Sequence, residues 1–176
     1  SENATVPVVK HDKGLCHIFI DKNANHDKAI DIAINAKVQR PGVCNSMETL
    51  LVHKDVAPYI LPPLHEAFIQ ESTELRGCDF TRKLIDIKCA TTEDYDTEYL
   101  ANILSIKIVK DVKDAVTHIS KFGSGHSECI ISENYTTVNY FLDNVDAAAV
   151  YANASTRFTD GGAFGFGAEV GISTSK

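Results

Sequence analysis

Residues 103–132 read ILSIKIVKDVKDAVTHISKFGSGHSECIIS, and this stretch decides the fold. Ile103 to Val109 is an apolar, β-branched run of strand length. A helix follows, with Val112, Ala115, Val116 and Ile119 spaced to share one face. Glu128 to Ser132 is a second strand. It leads to a second helix carrying Val138, Phe141, Leu142 and Val145, and Ala147 to Asn153 closes the series as a strand.

The same alternation extends toward the N-terminus. Gly14 to Asp21 reads as a buried strand. Asp27 is placed to cap a helix with Ile30, Ala33, Ile34 and Val38 on its apolar face, and Pro41 and Gly42 end it. Thr49 to His53 is a strand. Val56 to Ile69 is a helix that Pro62-Pro63 is expected to kink or divide. Glu74 to Cys78 and Leu84 to Ala90 are strand-like, and an acidic loop spans Thr92 to Glu98. Alternating strands and helices predict an α/β domain with a largely parallel sheet covered by helices. No internal repeat, low-complexity tract or linker interrupts it.

The chain's 176 residues suit one domain with a real core. A hydrophobic fraction of 44% and a charged fraction of 23% are those of an ordinary soluble protein. No apolar run reaches membrane-spanning length, and no signal-peptide pattern opens the chain. The net charge of −7 argues against a nucleic-acid partner. The five cysteines, at 16, 44, 78, 89 and 129, form no C-x-x-C pair and no cluster with zinc spacing, so no metal is expected. A reducing cytoplasm is the simplest reading, and the sequons at Asn3, Asn134 and Asn153 are then chance matches. Residues 1–6 read as a terminal segment open to containing an expression scar, and residues 7–176 as one excised domain.

Two loops carry the chemistry. Gln39-Arg40-Pro41-Gly42-Val43-Cys44-Asn45 puts a cysteine in a polar turn between a helix and an apolar strand, with Arg40 four residues upstream. A thiol becomes a nucleophile as the thiolate, which a nearby positive charge favours. Cys16, Cys89 and Cys129 lie in apolar or strand-like runs and read as small buried hydrophobes. The second loop is Asn153-Ala154-Ser155-Thr156-Arg157-Phe158-Thr159-Asp160-Gly161-Gly162. Its arginine follows an apolar strand, where a planar fork of donors suits a carboxylate or phosphate. A solvated loop arginine is the plainer reading, and Asn153 and Ser155 either support Arg157 or cap the turn. The glycines from 161 to 171 do not match a dinucleotide loop, because Val170 stands where G-x-G-x-x-G needs glycine. They read as a close-packed backbone lining the site, with Phe164 and Phe166 as wall or core. His126-Ser127-Glu128 looks like a hydrolase relay, but without a G-x-S-x-G elbow it reads as a loop entering a strand.

Together the two loops resemble the γ-glutamyl phosphate reductases (glutamate-5-semialdehyde dehydrogenases), a proline-biosynthesis branch of the aldehyde dehydrogenase superfamily. Cys16-His17-Ile18, Thr97 to Leu100, Gly125 to Glu128 and Gly165 to Thr174 extend the resemblance over residues 7–176. It implies the three-layer α/β/α catalytic domain of the aldehyde dehydrogenase-like fold, without the family's cofactor-binding portion. By the same resemblance Cys44 is the nucleophile, Asn45 helps hold the oxyanion, and Arg157, with Asn153 and Ser155, meets the substrate. Glu98 matches the acidic position that hydrogen-bonds the nicotinamide ribose. The implied reaction is NADPH-dependent reduction of L-glutamyl 5-phosphate to glutamate 5-semialdehyde and phosphate. The full-length protein is open to being a homo-oligomer, and the isolated chain is expected to bind NADPH weakly and to be inactive. Relatives that hydrolyse a thioester carry a glutamate just before the first strand. Val8 to Asp12 offers none, which favours a reductase over an aldehyde-oxidising enzyme. The rival readings are another acylating aldehyde dehydrogenase relative and a non-catalytic module.

Overall fold

The computed structural model describes residues 13–167. Its strands are β1 (Cys16–Ile20), β2 (Met47–His53), β3 (Glu74–Gly77), β4 (Lys88–Cys89), β5 (Ile103–Val109), β6 (Ser127–Ile131) and β7 (Ala149–Ala152). The helices are α1 (His26–Val38), α2 (Ala57–Gln70), α3 (Asp79–Arg82), α4 (Val112–Phe122) and α5 (Tyr135–Asn144), with 3₁₀ turns at Glu93–Asp96 and Thr156–Phe158. Among the described residues the strands form one sheet, ordered β4-β3-β5-β2-β1-β6-β7, with every pair parallel. The expected α/β architecture is the one observed.

Alternation along the strands divides the core in two. Ile18, Ile20, Leu50, Val52, Leu104, Ile106, Cys129 and Ile131 face α1 and α2. Phe19, Leu51, Val109 and Ile130 face the opposite way, against Ala115 and Ile119 of α4 and Phe141 of α5. Both faces are therefore covered, and β1 and β6 read as near-continuous buried runs, as strands of a parallel sheet do.

Several local expectations are corrected. Asn25, rather than Asp27, caps α1, its side chain accepting from the Lys28 amide at 3.0 Å. The helix is also rotated from its expected face. It buries Ala29, Ala33, Ala36 and Lys37, leaving Ile30, Ile34 and Val38 half-exposed, because small residues let it lie close on the sheet. Pro62 and Pro63 do not divide α2, which runs unbroken through them. Both lie on its exposed face, where the carbonyls left without a donor can turn to water. Leu84 to Ala90 is not a full strand. It supplies only the two-residue edge β4, and Cys89 is exposed rather than buried.

Asp94 fixes the acidic turn. Its carboxylate accepts from the Thr91 amide, Arg76 Nη1 and Tyr99 Oη, each at 2.7 Å. Burial raises its pKa, but these donors together outweigh burial and hold it at about 2. A carboxylate depressed in the native state stabilises it above the unfolded pKa, and that contribution is lost as pH falls through the folded value. Wild type should therefore lose on the order of 2 kcal/mol between about pH 4 and pH 2 through this group. Asp94→Asn should lower stability at neutral pH and flatten that acid limb in urea melts. An acid limb identical to wild type would remove Asp94 from this role.

Candidate active site

Cys44 lies at the amino-terminal edge of the sheet, in the loop between α1 and β2. The loop is tight: the Gln39 amide donates to Asn35 O at 3.3 Å and the Ser46 amide to Val43 O at 3.0 Å. Cys44 is half-buried and Arg40 is exposed. Beneath the loop, the lead-in to β1 presses against it. A Cβ built on Gly14 would collide with the Cys44 carbonyl, lie 2.5 Å from Cys44 Cα and 2.7 Å from Glu98 Oε1. Glycine at 14 is thus what lets Cys44 and Glu98, 54 positions apart in sequence, share one corner. Gly14→Ala should cost about 1–3 kcal/mol of stability through overpacking and slow alkylation of Cys44. An unchanged melting point and alkylation rate would show that the corner can yield.

The second loop reaches this corner by reversing direction. Asn153 follows β7 with φ of +54°, a left-handed conformation that asparagine tolerates. Its side chain clasps Ser132, accepting from that residue's amide at 3.0 Å and donating to its carbonyl at 2.9 Å. Ser155 caps the following 3₁₀ turn through the Arg157 amide, at 3.2 Å. Neither polar side chain is directed at Cys44 by these bonds. The returning segment instead clamps Asn45, which is 3% exposed. The Asn45 side chain donates to Thr159 O and accepts from Arg157 Nη1, while its carbonyl accepts from Thr156 Oγ1 at 2.8 Å. The side chain of Asn45 is committed to holding the loop.

Arg157 joins the two loops. Its side chain is 9% exposed. Nε donates to Gln39 Oε1 at 3.0 Å, and Nη2 lies 3.6 Å from Asp160 Oδ2. A small cavity of about 90 Å³, lined by Asn35, Gln39, Arg157, Phe158 and Ala163, opens beside it. Phe164 and Phe166 are exposed, so neither is wall or core here. The backbone turns at Gly165 and Gly167, both at positive φ, leave them at the surface. The part of the glycine-rich segment beyond residue 167, and the Val8 to Asp12 neighbourhood, lie outside the described residues.

Three features had no clear sequence signal. The first is the Lys37–Glu48 pair, at 2.8 Å with side chains 0% and 1% exposed. It ties α1 to β2 on either side of the Cys44 loop. Burial pushes the Glu48 pKa up to about 7, against Lys37 and the backbone amides of Leu100 and Tyr99. The same burial lowers Lys37. The second is a polar row on the α4 face, where the Glu128 carboxylate takes the His17 amide at 2.7 Å and His17 Nδ1 at 3.0 Å. Strand alternation splits His126-Ser127-Glu128 accordingly: Ser127 bonds Thr159, and Glu128 turns to His17. The third is Cys78. Burial raises its pKa, but the Thr81 hydroxyl and nearby amides outweigh burial and leave it lowered. Burial pushes Cys129 up to about 12 and Cys16 well above its ordinary range. Among the described residues no group of three or more His, Cys, Asp or Glu side chains is arranged to hold a metal ion. No helix there is long and apolar enough to cross a membrane.

An all-parallel sheet covered by helices on both faces is the architecture of the aldehyde dehydrogenase-like fold. An acetylating aldehyde dehydrogenase from Geobacillus thermoglucosidasius, 17% identical, shares the fold with a TM-score of 0.71 over 99% of this chain. No family model matches the chain. It is, however, 66% identical over 177 residues to a γ-glutamyl phosphate reductase of Nitratiruptor, covering 100% of this chain and 43% of that protein. The γ-glutamyl phosphate reductase of Thermotoga maritima, 53% identical, superposes with a TM-score of 0.95 over 99% of this chain and 42% of its own. Over its full length the chain is a homologue of these γ-glutamyl phosphate reductases, and it spans less than half of their length.

Proposed function

We propose that this chain is the thioester-forming part of an NADPH-dependent reductase that converts L-glutamyl 5-phosphate to glutamate 5-semialdehyde and phosphate, in proline biosynthesis in the cytoplasm. The observation that carries the reading is the meeting of Cys44 and Glu98 across Gly14, in a sequence so close to named reductases. The Cys44 thiolate attacks the acyl-phosphate carbonyl and phosphate departs, leaving an acyl thioester on Cys44. With the Asn45 side chain tied into the loop, stabilisation of the oxyanion falls to backbone amides around Cys44 and Asn45. The carboxylate of Glu98, beside the reacting corner, suits a ribose hydroxyl of the nicotinamide nucleotide. NADPH, when bound, supplies the hydride that reduces the acyl group. One such contact gives little affinity against the ordering cost of binding, so most of the grip on NADPH comes from residues other than those described.

Arg157 is proposed to recognise an anionic group of the substrate from the small cavity beside Gln39. Arg157→Lys should raise KM roughly tenfold, since an ammonium cannot reproduce a planar fork of donors. Unchanged kinetics would leave Arg157 only its clamp on the two loops. The reading as a whole is tested by the reverse reaction in the full-length protein. Glutamate 5-semialdehyde should reduce NADP⁺ only with inorganic phosphate present. Oxidation independent of phosphate would overturn the proposal.

A further inference from the structure

Cys44 has a second thiol directly behind it. The Cys16 thiol donates to the Cys44 carbonyl at 3.2 Å, and its sulfur lies 3.9 Å from His126 Nδ1. The three residues belong to separate parts of the chain, the start of β1 and the loops before β2 and β6. Cys16 has no exposed surface, whereas Cys44 sits half-buried in its loop. An accessible thiol is therefore backed by a protected one, with an imidazole beside the protected sulfur.

From this contact we propose that Cys44 and Cys16 form a reversible disulfide on oxidation, Cys16 acting as the resolving thiol. A hydroperoxide is the oxidant. The Cys44 thiolate attacks a peroxide oxygen and the O–O bond breaks. This leaves Cys44 as a sulfenic acid and releases water or the alcohol once protonated. The Cys16 sulfur then attacks the Cys44 sulfur. The S–S bond forms as the S–O bond breaks, and the departing hydroxide leaves as water. The two cysteines lose an electron pair, and the peroxide gains it. An external dithiol returns the pair and restores both thiols.

The surroundings assign the roles. Burial raises the Cys16 pKa, which keeps it protonated and slow toward peroxide itself. Its proton has a nearby acceptor. Tyr151 Oη, Thr159 Oγ1, Ser127 Oγ and His126 Nδ1 form a chain with spacings of 3.0, 2.8 and 2.8 Å. In the tautomer that leaves Nδ1 unprotonated, rotation of the Ser127 hydroxyl toward Thr159 frees the Nδ1 lone pair to take the Cys16 proton. The Cys16 sulfur already touches the Cys44 peptide, so bridging calls for rotation of the Cys44 side chain within its loop toward β1. The benefit is protection, because a sulfenic acid captured as a disulfide is not oxidised further to sulfinic acid.

The inference rests on the reading of Cys44 as the reactive thiol, and the experiment separates the two. Reduced protein is first alkylated competitively and mapped. Cys44 should label ahead of Cys78 and Cys89, and preferential labelling of either would overturn the reading itself. A second sample is treated with hydrogen peroxide and mapped without reduction. The expected product is a cross-linked peptide pair containing Cys16 and Cys44, which dithiothreitol separates. If Cys44 labels first but oxidises without linking to Cys16, or links to Cys78 or Cys89, the proposal fails while the reading stands. Cys16→Ala gives an independent check. After the same peroxide exposure its Cys44 should no longer be recovered by dithiothreitol, having passed to sulfinic acid. Recovery equal to wild type would also overturn the proposal. Should that variant not fold, the wild-type cross-link decides alone.

Discussion

Cys44→Ser is expected to abolish reduction of glutamyl phosphate by the full-length reductase, lowering turnover on the order of 10⁴-fold or more, as loss of a catalytic nucleophile does. A hydroxyl at this position is a far weaker nucleophile than a thiolate. The fold should be untouched. The substitution exchanges one atom in a half-buried loop, leaves no cavity, and preserves the backbone carbonyl that receives the Cys16 thiol. The melting temperature should move by no more than about 2–4 °C, the equivalent of roughly 1 kcal/mol in a domain of this size. Steady-state rates and a thermal melt on the same preparation separate chemistry from unfolding. Turnover retained within tenfold of wild type would move the nucleophile elsewhere, and Cys78, with its lowered pKa, would be the first residue to examine.

The fold was legible in the sequence wherever burial alone sets the pattern. Ile103 to Val109 matches β5 residue for residue, the strands that follow it lie within two residues of their expected limits, and helices stand where the two apolar faces were read. Reading failed where packing detail overrides pattern. In α1 the isoleucines repeat at helical spacing, yet the alanines face the sheet, because close approach of helix to sheet favours small side chains over large ones. Leu84 to Ala90 looks like a strand by composition, but an edge position with one neighbour sustains only two paired residues. At the site, the two loops were legible as polar interruptions next to apolar strands. What joins them was not. That Arg157 grips Gln39 and Asn45, and that Gly14 backs both Cys44 and Glu98, are contacts across more than 25 positions that no local pattern encodes. Lys37 is the plainest case: a lysine in an amphipathic helix reads as a surface charge, and only the opposing Glu48 makes its burial tolerable.

That pair carries the second large expectation. Lys37→Met should destabilise the domain by about 1 kcal/mol more at pH 8 than at pH 5, because it leaves the Glu48 carboxylate buried without a counter-charge. The deficit should depend on pH in a definite sense. Burial already raises the Glu48 pKa to about 7 with Lys37 present, and removing the ammonium raises it further. A group whose folded pKa lies above its unfolded value binds its proton more tightly in the native state. Its contribution is fully present below the unfolded value and is lost as pH rises through the folded one. The Lys37→Met deficit should therefore be small at pH 5, where Glu48 is neutral in the fold, and grow toward pH 8. Replacing both partners, with Lys37→Met and Glu48→Leu together, should recover most of the loss and remove the pH dependence, since an apolar pair needs no counter-charge. Urea denaturation of wild type, Lys37→Met, Glu48→Leu and the double variant at pH 5 and pH 8 measures every term. Because the pair braces the loop from both ends, the double variant should also show whether the charges serve the site. Full stability with slowed alkylation of Cys44 would mean that Lys37 and Glu48 hold the loop's geometry as well as the fold. A deficit that is the same at both pH values would contradict the assignment of Glu48 as the uncompensated charge.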